Sequence, residues 1–124
     1  MLDPRRTGAP ASDTTRQRRN VRLHDRRTSV SLEIAIWDSL EAISLQEDVA
    51  TDSIATMIDD RRQGSSLASS IRIFVLLYFR LLSENFQASL QRRPMPGVRE
   101  EPPRMLAIAL EMFARQEASG APKR

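Results

Sequence analysis

The chain has 124 residues, a formal net charge of +3 at pH 7 and no cysteine. This length predicts one domain with tails, and the lack of cysteine excludes disulfides, zinc fingers and thiol catalysis. No apolar run reaches the roughly 18 residues of a membrane span, and no apolar segment follows the N-terminal arginines as in a secretory signal. We therefore expect a cytoplasmic protein without a membrane partner.

The positive charge is concentrated in the tails. Residues 1–27 carry eight Arg against three Asp, a net charge of +5, whereas residues 28–82 carry four Arg against eight acidic residues, a net charge of −4. Residues 83–124 carry seven basic against five acidic residues, which adds +2. Basic tails on an acidic core indicate nucleic acid as a partner. The alternative is a disordered tail that its charge keeps in solution.

No residue pattern indicates catalysis or metal binding. His24 is the only histidine, and it forms no recognisable catalytic motif with a nearby serine. The four glycines are scattered singly, so the chain lacks a phosphate-cradling glycine loop. The sequence predicts neither an enzyme nor a cofactor-binding protein.

A disordered basic arm is predicted for residues 1–19, which contain two prolines and no aromatic residue. Beyond the arm, Val21 and Leu23 alternate with polar residues and indicate a short first strand. Val30 and Leu32 alternate with serines and predict the main strand. A strand this short needs a partner, and we expect the same strand of a second copy of the chain to supply it.

Three helices follow the main strand. Apolar residues at helical spacing predict them over about these ranges: 35–47, 52–62 and 67–82. Thr51 or Asp52 would cap the second helix, and Ser66 would cap the third. The third helix is apolar almost all round, which predicts that a second subunit covers it.

The C-terminal third of the chain is predicted to hold one more helix. Prolines in residues 83–102 predict a linker, so the folded domain would span residues 20–82. Residues 103–118 predict an amphipathic helix, and residues 119–124 a disordered tail. The apolar face of this helix, which includes Phe113, either packs back on the core or contacts another protein.

Four short segments occur in the order and spacing of a known family. Residues 27–33 read Arg-Thr-Ser-Val-Ser-Leu-Glu, residues 37–40 begin with Trp and end with Leu, residues 58–59 are Ile-Asp, and residues 67–76 run from Leu-Ala-Ser-Ser to Phe-Val-Leu. This pattern is similar to the ribbon-helix-helix family of DNA-binding proteins, and within it to a bacterial subfamily described as antitoxin-like. The similarity covers about 60 of the 124 residues. The chain has Ala50 where family members carry a capping serine.

The resemblance implies a mainly helical fold with a short β ribbon, built as a homodimer, to which this chain adds its C-terminal helix. It implies a sequence-specific transcriptional regulator that inserts an antiparallel strand pair, one strand from each subunit, into the major groove of double-stranded DNA. On this basis we assign DNA binding to seven residues: Arg22, Arg26, Arg27, Ser29, Ser31, Thr51 and Ser53. We assign the dimer interface to seven others: Val30, Leu32, Trp37, Ile71, Phe74, Val75 and Tyr78. The alternative is an antitoxin-like dimeric scaffold whose C-terminal helix binds a protein partner.

Overall fold

The structure, a computed structural model, describes residues 13–92, 96–97 and 104–120. The elements in this part of the chain are the strands β1 (Arg16–Arg22) and β2 (Arg27–Glu33) and the helices α1 (Ile34–Glu47), α2 (Thr51–Arg61), α3 (Leu67–Gln91) and α4 (Leu106–Gly120). The predicted fold class is confirmed: a mainly helical chain with a short β ribbon and an additional C-terminal helix. Three predictions lie partly outside the described residues, namely those for most of the arm, much of the linker and most of the tail.

β1 and β2 form an antiparallel hairpin in which the first residue of β1 lies opposite the last residue of β2. The Leu23 N–H donates to the Arg26 carbonyl at 2.8 Å and closes the turn. At the other end, the Ile34 N–H donates to the Thr15 carbonyl at 2.9 Å and lengthens the ladder. The main strand is thus paired within its own chain. The short first strand indicated by Val21 and Leu23 is confirmed as its neighbour, and pairing with a second copy stays a prediction.

β1 starts at Arg16, four residues inside the segment predicted to be a disordered arm. Sequence periodicity misses this part because the positions that face the helices there, Gln17 and Arg19, are polar. Contacts from Trp37, rather than burial of apolar side chains, fix Gln17 and Arg19 in the strand. Its indole Nε1–H donates to the Gln17 carbonyl at 2.8 Å, and the Arg19 guanidinium lies 5.0 Å from the centroid of its rings. Such a cation–π contact is favourable even at a partly exposed site.

One hydrophobic core receives buried side chains from both strands and from every described helix. Each of the residues assigned to the dimer interface is at most 5% exposed within the single chain: Val30, Leu32, Trp37, Ile71, Phe74, Val75 and Tyr78. Within one chain these side chains already belong to the core, and their assignment to a dimer interface stays a prediction. The core-facing side of α3 is covered by its own chain, because α4 adds a layer that α1 and α2 alone do not provide.

The helix caps agree with the sequence in one case and differ in the other. The Ser66 hydroxyl accepts a hydrogen bond from the Ser69 N–H at 3.1 Å, so the predicted cap of α3 is confirmed. The cap residue of α2 is Ala50, and no side chain caps that helix. The prediction of Thr51 or Asp52 as its cap is therefore wrong.

α3 continues to Gln91, nine residues beyond its predicted end. The prediction stopped at Leu82 because prolines become frequent soon afterwards. The first of these is Pro94, and residues 83–91 contain neither proline nor glycine. No helix-breaking residue therefore ends the helix earlier, and the first part of the predicted linker is helical.

α4 packs on the core of its own chain, which is the first of the two alternatives considered for its apolar face. Ala109, Leu110 and Phe113 are at most 4% exposed. The Glu47 carboxylate, only 4% exposed as a residue, accepts hydrogen bonds from the backbone N–H groups of Met105 at 3.1 Å and of the next residue at 3.3 Å. It thereby satisfies N–H groups at the start of α4, as a capping side chain does.

The same carboxylate accepts a hydrogen bond from the Tyr78 hydroxyl at 2.7 Å. Burial of Tyr78, together with the neighbouring Glu47 carboxylate, raises the pKa of the tyrosine, so its hydroxyl stays protonated and donates. At the opposite end of α4, Glu117 accepts hydrogen bonds from the hydroxyls of Ser65 and Ser70, which lie at the start of α3. Two carboxylates thus fix α4 at both of its ends.

Phe113→Ala should lower the free energy of unfolding by about 3–5 kcal/mol, because it empties a site that is 1% exposed. Ile108→Ala is the matched control on the same helix, since Ile108 is 47% exposed and its truncation should cost less than about 1 kcal/mol. Urea unfolding of both variants, followed by circular dichroism, measures the difference. Equal and small losses would show that α4 does not pack as described.

Candidate nucleic-acid interface

The hairpin has an inner face toward the helices and an outer face toward solvent. Residues directly opposite in an antiparallel pair point to the same side, and successive residues alternate. Val21, Val30 and Leu32 are buried and define the inner face. The outer face consists of the other set of four opposed pairs: Arg16 with Glu33, Arg18 with Ser31, Asn20 with Ser29, and Arg22 with Arg27.

The outer face is strongly basic. Four arginines against one glutamate leave a net charge of +3 on eight residues. All four arginines are exposed, as are Asn20 and Ser29. A concentrated positive charge of this kind attracts phosphate and raises the rate of association with nucleic acid.

The one carboxylate of the outer face is neutralised by α3. The Arg72 guanidinium donates two hydrogen bonds to Glu33, from Nε at 2.8 Å and from Nη2 at 3.3 Å. These bonds, which come from a positive group, lower the pKa of Glu33. The Arg16 Nε lies 3.7 Å from the same carboxylate. Glu33 therefore ties the end of β2 to α3 and does not present an unpaired negative charge to a phosphate.

Of the seven predicted DNA-binding residues, the structure brings four together on the outer face: Arg22, Arg27, Ser29 and Ser31. Arg26 lies in the turn and is engaged elsewhere. Its guanidinium donates to Asp59 at 3.2 and 3.3 Å and to Asp25 at 2.9 Å. Partial burial opposes the charged form of Asp59, but hydrogen bonds from Arg62 and Arg26 outweigh it and lower the pKa of Asp59. Arg26 thus holds the turn against the end of α2.

The remaining two predicted residues, Thr51 and Ser53, lie in the first turn of α2. One depression of the surface is lined by both Asn20 and Thr51, and a neighbouring open groove by both Arg22 and Ser53. The start of α2 therefore lies alongside β1. Its first N–H groups have no side-chain cap, and a helix start of this kind favours negative ligands.

A family model described as a ribbon-helix-helix domain matches residues 16–79. The match covers 64 of the 124 residues and includes the hairpin, α1, α2 and the first half of α3. The chain belongs to the ribbon-helix-helix family. Ribbon-helix-helix domains generally form dimers and bind DNA.

Among solved structures, this ribbon-helix-helix chain is similar to an uncharacterized protein from Bordetella pertussis Tohama I. The two are 25% identical with a TM-score of 0.54, over 89% of this chain and 81% of that chain. The likeness extends well beyond the 64 residues of the family match. No curated protein matches the chain.

Besides Glu33, the outer face of the ribbon-helix-helix hairpin contains three residues that the sequence did not assign to DNA binding: Arg16, Arg18 and Asn20. The sequence gives little signal here, since residues 16–20 are all polar and do not alternate. These residues were missed because periodicity was sought in apolar residues, which this strand largely lacks. Within the described ranges, no helix is long and apolar enough to cross a membrane, and no cluster of acidic residues or histidine is suited to a metal ion.

Glu33→Gln should reduce the stability of the ribbon-helix-helix protein at pH 7 and much less at low pH. The pKa of Glu33 is lower in the folded than in the unfolded chain, so its stabilisation is full above the unfolded pKa and is lost as pH falls through the folded pKa. The loss of unfolding free energy relative to wild type should be complete above about pH 5 and should shrink below about pH 4.

Glu111→Gln is the control for this measurement, since Glu111 forms only an exposed i,i+4 pair with Arg115. Denaturant unfolding of the three proteins from acidic to neutral pH measures the effect. A Glu33→Gln profile parallel to that of wild type would contradict the role given to the Arg72 pair.

Proposed function

We propose that this ribbon-helix-helix protein is a sequence-specific transcriptional regulator that acts on double-stranded DNA as a cytoplasmic homodimer. The proposal rests on the outer face of the hairpin. It presents four arginines, Asn20 and two serines on one side of a β ribbon. A two-stranded ribbon fits the major groove, where arginine reads guanine and asparagine reads adenine through paired hydrogen bonds.

The second copy pairs with the free edge of β2. Because the Leu23 and Ile34 N–H groups belong to the ladder, the even-numbered residues of β2 pair with β1. Ser29 and Ser31 therefore direct their backbone groups to the opposite edge, which has no strand partner in the part of the chain that the structure describes. An antiparallel β2 from a second copy satisfies these groups and yields a four-stranded sheet with the two β2 strands in its centre.

The width of this sheet divides the outer face into two roles. Four strands about 4.8 Å apart span roughly 14 Å between the outermost two, while the major groove is about 12 Å wide. Only the central β2 pair fits fully into the groove, so Arg27, Ser29 and Ser31 contact base edges. The β1 strands lie at the rims of the groove, where Arg18 and Arg22 face the phosphates.

The start of α2 adds a further phosphate contact on each side. Its uncapped N–H groups, with the hydroxyls of Thr51 and Ser53, lie next to β1 and so near the same rim. Asp52 in the same turn weakens this contact by its charge. The outer-face arginines therefore supply most of the affinity.

The alternative, an antitoxin-like scaffold whose C-terminal helix binds a protein, has less support. The apolar face of α4 is already occupied by its own core. Ile108, at 47% exposed, is the large apolar side chain of that helix that stays accessible. A partner helix would find little apolar area there, whereas the four arginines, Asn20 and Ser29 of the outer face are all exposed.

Arg27→Ala should weaken binding to a selected operator by about 1–3 kcal/mol for each base contact and relax discrimination at one position of each half-site. Arg18→Ala should weaken binding to operator and scrambled DNA alike and reduce the salt slope by about one for each phosphate contact. Fluorescence anisotropy titrations on both DNAs at several salt concentrations distinguish the two patterns.

Arg115→Ala, on the exposed side of α4, is the charge-matched control and should bind both DNAs like wild type. If Arg27→Ala and Arg18→Ala bind the operator as tightly as the control, the hairpin is not part of the DNA interface. The protein-binding alternative would then be preferred.

Ser29→Pro should dissociate the ribbon dimer, because proline removes a backbone N–H from the free edge of β2. Asn20→Pro is the matched control, since Asn20 lies directly opposite Ser29 and directs its N–H to the other edge of the hairpin. Sedimentation of both variants measures the change in self-association. Equal effects of the two prolines would show that the β2 edge is not the contact.

A further inference from the structure

α3 carries a row of apolar side chains that its own chain leaves uncovered. Five of the seven exposed large hydrophobic residues in the described ranges are on this helix: Ile73 at 42%, Leu76 at 62%, Phe79 at 36%, Phe86 at 62% and Leu90 at 70%. Single exposed apolar residues are common on protein surfaces, but a contiguous group indicates a contact site.

The spacing of these residues forms a straight stripe. Leu76, Phe79, Ser83, Phe86 and Leu90 follow one another at intervals of three, four, three and four, which is the pattern that keeps one helix face against another. These five residues are called the α3 seam. It contains no charge, and Ile73 borders it one turn earlier. Four residues before Leu76 the same face carries Arg72, which is bound to Glu33, so the apolar stripe ends there.

The second half of the seam extends past the core. Leu82 is the last residue of α3 that packs against the core, so Ser83–Gln91 protrude from it. A helical segment this short has little stability in water without tertiary contacts, and most helical stability in proteins comes from a packed apolar face. Phe86 and Leu90 therefore need a partner surface to hold this segment in place.

The order of residues in the seam identifies that partner. Read from either end, the seam is Leu, Phe, Ser, Phe, Leu, with Ser83 in the middle. A two-fold contact between identical surfaces pairs residue i with j and j with i, and this order gives each apolar seam residue a partner of its own type. An antiparallel copy centred on Ser83 brings Leu76 of one helix toward Leu90 of the other and the two phenylalanine pairs together. The small serine lets the helices approach closely at the axis.

We propose that the α3 seam is a contact between two copies of this chain, with the α3 helices antiparallel about a two-fold axis near Ser83. The exposed fractions of Ile73 and the four apolar seam residues amount to roughly 500 Å² per copy, at about 200 Å² for a fully exposed side chain of this size. Two copies thus remove roughly 1,000 Å² from water, the lower bound for a specific interface. The seam uses neither the β2 edge nor the outer face of the hairpin.

A cross-linking experiment tests the axis directly, because the chain has no cysteine of its own. Under mild oxidation Ser83→Cys should form disulfide-linked dimers at least about tenfold faster than Ala88→Cys, since two cysteines beside a two-fold axis approach within bonding distance. Ala88 is also exposed but lies on the other side of α3. Equal rates for the two variants would overturn the proposal.

The second test is the double variant Phe86→Glu with Leu90→Glu, measured by sedimentation equilibrium of the full chain. It should weaken self-association at least about tenfold, because each glutamate must be desolvated in the contact. Leu45→Glu is the control: Leu45 is 85% exposed on α1, outside the seam, and its replacement should change nothing. Unchanged self-association of the double variant, with helical content like wild type, would overturn the seam.

The same cross-link separates the seam from the ribbon dimer. Ser83→Cys placed in the Ser29→Pro background should still cross-link faster than Ala88→Cys in that background. Absence of DNA binding by the wild-type chain, with retained cross-linking, would contradict only the proposed function. Loss of the preference for Ser83→Cys, with DNA binding retained in the wild-type background, would contradict only the seam.

Discussion

The register of the hairpin is the constraint on which the rest of the molecule depends. Side chains alternate along a strand, so a slip of one residue between β1 and β2 would exchange the inner and outer faces of β1. Three features fix the register: Val21 in the core, the four-residue turn closed by Leu23, and the hydrogen bond from Trp37 to the Gln17 carbonyl. With that register, the arginines of both strands gather on one surface while the core stays apolar.

The helical part depends on two carboxylates that join distant parts of the chain. Glu47 ends α1 and satisfies the start of α4 and the Tyr78 hydroxyl of α3, while Glu117 near the end of α4 accepts from Ser65 and Ser70. A buried carboxylate is costly unless it is hydrogen-bonded, and Glu47 has three donors within 3.3 Å. These contacts make α4 a layer of the domain.

The sequence predicts those elements whose stability follows from local pattern. Period two in β2, helical spacing in the three central helices and the Ser66 cap were all readable, because each depends on residues close together in the chain. β1 was only partly readable, since its start is held by Trp37, some 20 residues later. The pairing of Arg26 with Asp59 was not readable for the same reason, because the two residues are 33 positions apart. The cover that α4 provides for α3 was not readable, because it depends on a long connection that periodicity does not reveal.

Trp37 lies under β1 at the junction of the hairpin with α1, and it is the only tryptophan of the chain. Its environment combines a hydrogen bond to a backbone carbonyl with a guanidinium stacked over its rings. Its fluorescence is therefore an intrinsic reporter of the hairpin, whereas far-ultraviolet circular dichroism reports mainly on the helices. Agreement of the two signals during unfolding would mean that ribbon and helices form one cooperative unit. Their separation would mean that the nucleic-acid surface loosens while the helical body persists.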